Sequence, residues 1–82
     1  MPCPPDARYA KWLVTRTENP PGQSILEPRR RAIAWGALYD GRHVSVPVWA
    51  VARARGWVCV EQKVDVHETW LAWLPAEDVQ PV

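Results

Sequence analysis

Three side chains in this 82-residue chain have the chemistry of a catalytic centre: the thiol of Cys59 and the imidazoles of His43 and His67. A thiolate nucleophile needs a base or cation beside it. Neither histidine stands at a spacing that supplies one, and Cys59 sits mid-strand, where a small buried thiol is the default. Metal binding would require ligands two to four residues apart, and the chain has no such set. The four glycines are scattered singly, so there is no phosphate loop. The expectation is a protein without catalysis, cofactor or metal.

The second chemistry is binding through arginine and tryptophan. Arg29, Arg30 and Arg31 are consecutive, and Arg53 and Arg55 follow Trp49 at alternate positions. Trp57 and Trp73 lie in two later apolar stretches. Guanidinium groups beside exposed indoles can neutralise phosphates, release counterions and stack on bases. The same mixture anchors protein partners. The net charge of +1 hides an asymmetry: nine Lys/Arg against four Asp/Glu in residues 1–55, and one against five in 56–82. The residues expected to bind nucleic acid or a partner are Arg29, Arg30, Arg31, Trp49, Arg53, Arg55, Trp57 and Trp73. A solvated surface of ordinary composition is the plain alternative.

These residues must be positioned by strands. Residues 1–8, with three prolines, read as an extended or disordered arm before a single domain over 9–82. Alternation in "YAKWLVTR" (9–16) predicts a first strand. Asn-Pro-Pro-Gly opens a loop over 17–31. "AIAWGALYDG" (32–41) is a second strand ending in an Asp-Gly hairpin turn. In residues 43–55, Val44, Val46, Val48, Ala50, Ala52 and Ala54 share one small apolar face. Trp49, Arg53 and Arg55 share the other. A helix from residue 48 is the rival there, because of the alanines; the β-branched valines favour the strand.

"WVCVEQ" (57–62) and "TWLAWL" (69–74) give two more strands, separated by a turn over 63–68. In the latter, Trp70, Ala72 and Leu74 share one face and Leu71 and Trp73 the other, unless the register slips by one residue. "PAEDV" (75–79) reads as one helical turn with proline first and acids near its start, followed by a last short strand. Two cysteines, Cys3 and Cys59, make no disulfide framework, so a reducing cytoplasm is expected. The chain has neither a basic-plus-apolar leader nor a long apolar run.

From Gly56 onward, about a third of the chain, the sequence resembles an SH3-like barrel. "GWVCVE" is similar to the strand that carries the SH3 tryptophan, and "TWLAWLPAEDVQPV" to its next strand, 3₁₀ turn and closing strand. Bacterial SH3-like, Tudor-like and KOW-like barrels share this outline. The resemblance implies an all-β, small SH3-like barrel of five to six short strands with one 3₁₀ turn near the C-terminus; it also implies that Trp70 and Leu74 face the core and Trp73 faces outward. "ALYD" (37–40) also matches an SH3 motif, but only residues 41–56 separate it from Trp57, and none is acidic. Asp78 stands where the family's turn carries tyrosine, so the resemblance extends to the fold and not to a proline-peptide groove. Plasmid-type dihydrofolate reductases use such a barrel with Val-Gln-Ile-Tyr before the turn; here the place reads "LAWL".

The expected function is a non-catalytic module of a bacterial-type cytoplasm. It binds nucleic acid, or serves as an accessory subunit of a nucleic-acid-handling complex. The alternative is a protein-interaction or self-association domain using outward tryptophans.

Overall fold

The computed structural model describes residues 11–18, 20–65 and 67–82. The expected arm, residues 1–8, lies outside the described residues. The fold is all-β, with five antiparallel strands: β1 (Ser24–Ala37), β2 (His43–Ala54), β3 (Trp57–Asp65), β4 (Glu68–Pro75) and β5 (Val79–Pro81). A 3₁₀ turn, Ala76–Asp78, joins the last two. Pro75 flanks that turn with φ −54° and ψ 139°, and Glu77 and Asp78 fall in its first turn, where the backbone N–H groups favour acids. No helix among the described residues is long and apolar enough to cross a membrane.

The strand order is β4-β3-β2-β1-β5, an open sheet whose hydrogen-bonded edges are β4 and β5. Residues 12–16 span the gap between the end of β1 and β4. On one side Val14 N–H donates to Ala37 O at 2.8 Å, and Tyr39 N–H to Trp12 O at 3.1 Å. On the other, Arg16 N–H donates to Trp73 O at 2.8 Å, and Trp73 N–H to Thr15 Oγ1 at 3.0 Å. An edge that would otherwise invite pairing with another chain is thereby capped. The segment is not the strand that alternation over 9–16 predicts. Residues 9 and 10 lie outside the described residues, and the remainder makes only an isolated bridge, Leu13 to Leu38. Both Trp12 and Leu13 are buried, so burial here does not alternate.

The loop expected over 17–31 is shorter, because β1 already begins at Ser24. What hid the strand is an interruption. Ile25 pairs with Ala52 and Arg30 with Ala50, so residues 26–29, including a cis Glu27–Pro28 peptide, bulge against Val51 alone. Both connections to β2 depend on a glycine. The five-residue link from Ala37 to His43 turns at Gly41, φ +92°, where Gly41 N–H donates to Leu38 O at 2.9 Å. Asp40 accepts from the Arg42 backbone N–H at 3.0 Å and from Arg42 Nε at 2.7 Å. These contacts hold its carboxyl below the ordinary range, the backbone N–H first. The β2–β3 hairpin is the tighter one: Ala54 pairs with Trp57 across Arg55-Gly56, with Gly56 at φ +80°.

One face of the sheet encloses the main core: Leu13, Ala32, Ala34, Leu38, Val48, Ala50, Val60, Ala72 and Leu74. Four of these are alanines, so strands pack closely but each contributes little buried area. Trp70 completes the core as expected. Its indole Nε1–H donates to Leu13 O at 2.7 Å, and it lies 4.6 Å from Trp12 and 6.1 Å, edge-on, from Tyr39. A second cluster, Ala52, Cys59 and Trp73, lies on the opposite face, with Val51, Ala54 and Trp57 against it.

Ala52 belongs to this second cluster because β2 is bulged. Trp49 pairs with Glu61 and Ala50 with Val60, but Ala52 pairs with Cys59, leaving Val51 without a partner. A single extra residue inverts the inside–outside alternation beyond it. The even-numbered positions of 43–55 therefore face the main core only as far as Ala50. Ala52 and Ala54 point outward, and Arg53, paired with Val58, moves to the core-facing side.

Candidate functional site

The outer face of β1, β2 and β3 gathers the charged and aromatic residues. Along β1, Ala32 and Ala34 point inward, which turns Arg31, Ile33 and Trp35 outward. Their cross-strand neighbours on β2 are Trp49, Pro47 and Ser45. Glu61 of β3 pairs in turn with Trp49, and Lys63 follows on the same face. Between them runs a groove of about 350 Å³ lined by Arg31, Ile33, Pro47, Trp49, Glu61 and Lys63, with Val82 at its side.

Trp49 works in this face as a support. The Arg29 guanidinium lies 4.4 Å from its ring centroid and that of Arg31 5.2 Å. Each contact contributes on the order of 0.5–1 kcal/mol at an exposed site. Arg29 is further tied to Glu61, Nη1 to Oε1 at 2.8 Å. Half the Arg29 side chain is open to solvent, so this ion pair adds about 1 kcal/mol at most and mainly fixes direction. With its ring occupied by two guanidiniums, Trp49 is not the stacking surface that sequence reasoning expects.

The remaining predicted residues do not form one site. Arg31 and Trp49 are together; Arg29 joins them but is neutralised by Glu61. Arg30, which pairs with Ala50, and Arg53 lie on the core-facing side at one end of the sheet. Arg55 is exposed in the adjoining hairpin. The expectation that Arg53 and Arg55 share a face with Trp49 fails for Arg53 because of the bulge at Val51. Trp57 is half-buried against the second cluster. Trp73 keeps the outer face that its register assigns, but it is 9% exposed, with the 15–18 segment held against its strand. It offers no stacking surface.

Trp35 is the indole that sequence reasoning overlooked. At 44% exposure it is the most open tryptophan among the described residues, on the same strand face as Arg31. The signal was the alternation Arg31-Ile33-Trp35 against Ala32-Ala34, obscured when the strand is begun at residue 32. Lys63 was missed because β3 was ended at residue 62.

The nucleophile candidates are far apart. Cys59 is buried beside Ala52 and Trp73. From Ala52 back to His43 is on the order of 30 Å of strand. Among the described residues no group of three His, Cys, Asp or Glu could hold a metal ion. Burial pushes the Cys59 thiol above its ordinary 9.0, with the Glu61 charge adding to the effect. In a Cys3→Ser variant, native Cys59 is expected to react with Ellman's reagent at least tenfold more slowly than in denaturant. Equal rates would show the second cluster to be open. The folded protein keeps a proton that the unfolded chain releases first. This contribution to stability is therefore intact below 9.0 and declines as pH rises beyond it.

No protein-family model, curated protein or solved structure matches the chain.

Proposed function

We propose that the chain is a non-catalytic binding module that takes single-stranded nucleic acid across the outer face of β1–β3. The observation that carries this reading is the grouping of Arg31, Trp35 and Lys63 around one groove and face, with Trp49 holding the Arg31 guanidinium in place. Arg31 and Lys63 would contact phosphates and Trp35 would stack a base. An accessory role in a nucleic-acid-handling complex of a reducing, cytoplasmic compartment belongs to the same reading, as does the SH3-like barrel resemblance. Five antiparallel strands with a 3₁₀ turn before the last are in keeping with that resemblance.

A salt titration of binding to a short fluorescein-labelled oligothymidylate tests the proposal. Neutralising about two phosphates gives a slope of log affinity against log salt near about −1.4, a roughly sevenfold loss between about 50 and 200 mM. Trp35→Ala should weaken binding by about 1–3 kcal/mol if the indole stacks a base. No association at low salt would overturn the reading.

A second reading, a protein-interaction surface, is favoured by one observation. Ile25 and Leu71 are 72% and 55% exposed and border one outer-face groove with Val51. Association through that surface would be nearly independent of salt and would be weakened by Leu71→Lys.

A further inference from the structure

Two irregularities, far apart in sequence, turn two arginines to the same place. The bulge over 26–29 resets β1 so that Arg30 pairs with the core residue Ala50. The bulge at Val51 resets β2 so that Arg53 pairs with Val58. Both arginines consequently line a concavity of about 300 Å³ at one end of the core. Leu26, Val58, Val79 and Pro81 form its walls. Its depth comes from Ala32 and Ala50, buried residues whose single methyl groups leave room that a larger side chain would fill.

Among the described residues, no carboxylate lines this concavity. The contrast with other arginines is informative: Arg29 is paired with Glu61 and Arg42 with Asp40, whereas neither Arg30 nor Arg53 has an ion-pair partner among the described residues. Charged side chains turned toward an apolar end of a sheet can serve only to discourage edge pairing. That role does not require an open apolar recess between them. Binding sites combine mainly apolar walls with a few placed polar groups, and about 300 Å³ is at the small end of their range.

We propose that this recess is a binding site for a small organic anion: a carboxylate or phosphate head held between Arg30 and Arg53, with a short aliphatic tail against Val58, Val79 and Ala50. The recess shares only Arg31 and Ala32 with the lining of the outer-face groove, and the proposal does not depend on nucleic-acid binding. Carboxylate and phosphate each present two oxygens that accept paired N–H donors from guanidinium, and two such groups without a counter-charge among the described residues favour an anion over a neutral isostere. The tail adds burial that acetate or inorganic phosphate lacks.

Titration of the full-length chain with octanoate, hexyl phosphate, 1-octanol, acetate and inorganic phosphate, followed by methyl NMR, tests this. Saturable binding of octanoate or hexyl phosphate is expected, at least tenfold tighter than octanol, acetate or inorganic phosphate. The shifts should centre on Ala50, Val58 and Val79. Preference for one of the two anions identifies the head group as carboxylate or phosphate. Arg30→Gln and Arg53→Gln should each weaken binding at least fivefold. Both positions are solvent-exposed, so the variants should fold, which the unchanged methyl spectrum away from the recess would verify. Octanoate and hexyl phosphate both binding no tighter than octanol, shifts centred elsewhere, or unaltered affinity in both variants would overturn the proposal.

Discussion

Trp73→Ala is expected to lower the unfolding free energy by about 3–5 kcal/mol, the usual cost of deleting a large buried aromatic side chain. Globular domains have roughly 5–15 kcal/mol in total, and an 82-residue chain is small for its class, burying only about 60% of its unfolded surface. The variant should therefore be largely unfolded or melt far below the parent. The reasons are local. Trp73 packs against Ala52 and Cys59, two small side chains that cannot expand to fill the space it vacates. The segment that lies against it is anchored to its backbone through Arg16 and Thr15. Had Trp73 pointed freely outward, the same substitution would alter association and leave stability nearly untouched. Urea unfolding together with sedimentation distinguishes the two outcomes. An unchanged urea midpoint with an altered sedimentation coefficient would show Trp73 to be an interface residue.

Leu13→Ala should cost about 2–5 kcal/mol and lower Tm by roughly 10 °C or more. Leu13 is fully buried in the main core, although it lies in a segment with almost no regular structure. Gly36 makes its seat: a Cβ there would stand 3.4 Å from Leu13 Cδ2. The Leu13 backbone is held too, its N–H donating to Gln62 Oε1 at 2.9 Å and its carbonyl accepting from the Trp70 indole at 2.7 Å. The core's many alanines cannot compensate, because they lack the flexible bulk to collapse into the cavity. Thermal unfolding followed by near-ultraviolet circular dichroism would report both the Tm and the Trp12–Trp70 environment. A variant melting within about 3 °C of the parent would mean that residues 12–16 contribute little to the fold.

Much of the architecture was legible because its signals are local. Alternation gave β2 up to Ala50, the core of β3, and the assignment of Trp70, Ala72 and Leu74 to one face of β4. Arg55-Gly56 marked the tightest hairpin, and Pro75 the onset of the 3₁₀ turn. The errors share a cause. A bulge changes the period at one position without a residue type that announces it. Val51 looks like any strand valine, yet it reverses every side chain after it. The prolines and the triple arginine over 20–31 read as a loop because the β1 strand is interrupted there by a wide bulge. The candidate site suffered accordingly. The pairing of Arg31 with Trp49 comes from β1 starting before residue 32, Arg53 turns to the other side, Trp35 takes its face from the same early start, and Lys63 lies beyond the strand end at 62 that the sequence suggests. Whether Trp73 is exposed or covered was beyond local reasoning, since its cover comes from residues nearly sixty positions away.

The reach of residues 12–16 also bears on the order in which the molecule assembles. Their hydrogen bonds to Gln62, Trp70 and Trp73 link positions 49 to 58 apart in sequence. The hairpins β1–β2, β2–β3 and β3–β4 close over far shorter loops, at smaller entropic cost. The first of the described residues to leave the ribosome is consequently among the last to find its place. Until β4 exists, the Leu13 carbonyl lacks the Trp70 indole donor, and until residues 12–16 arrive, the backbone of β4 at Trp73 lacks its Arg16 and Thr15 partners. Completion of the core and protection of that strand are therefore expected to coincide late in folding.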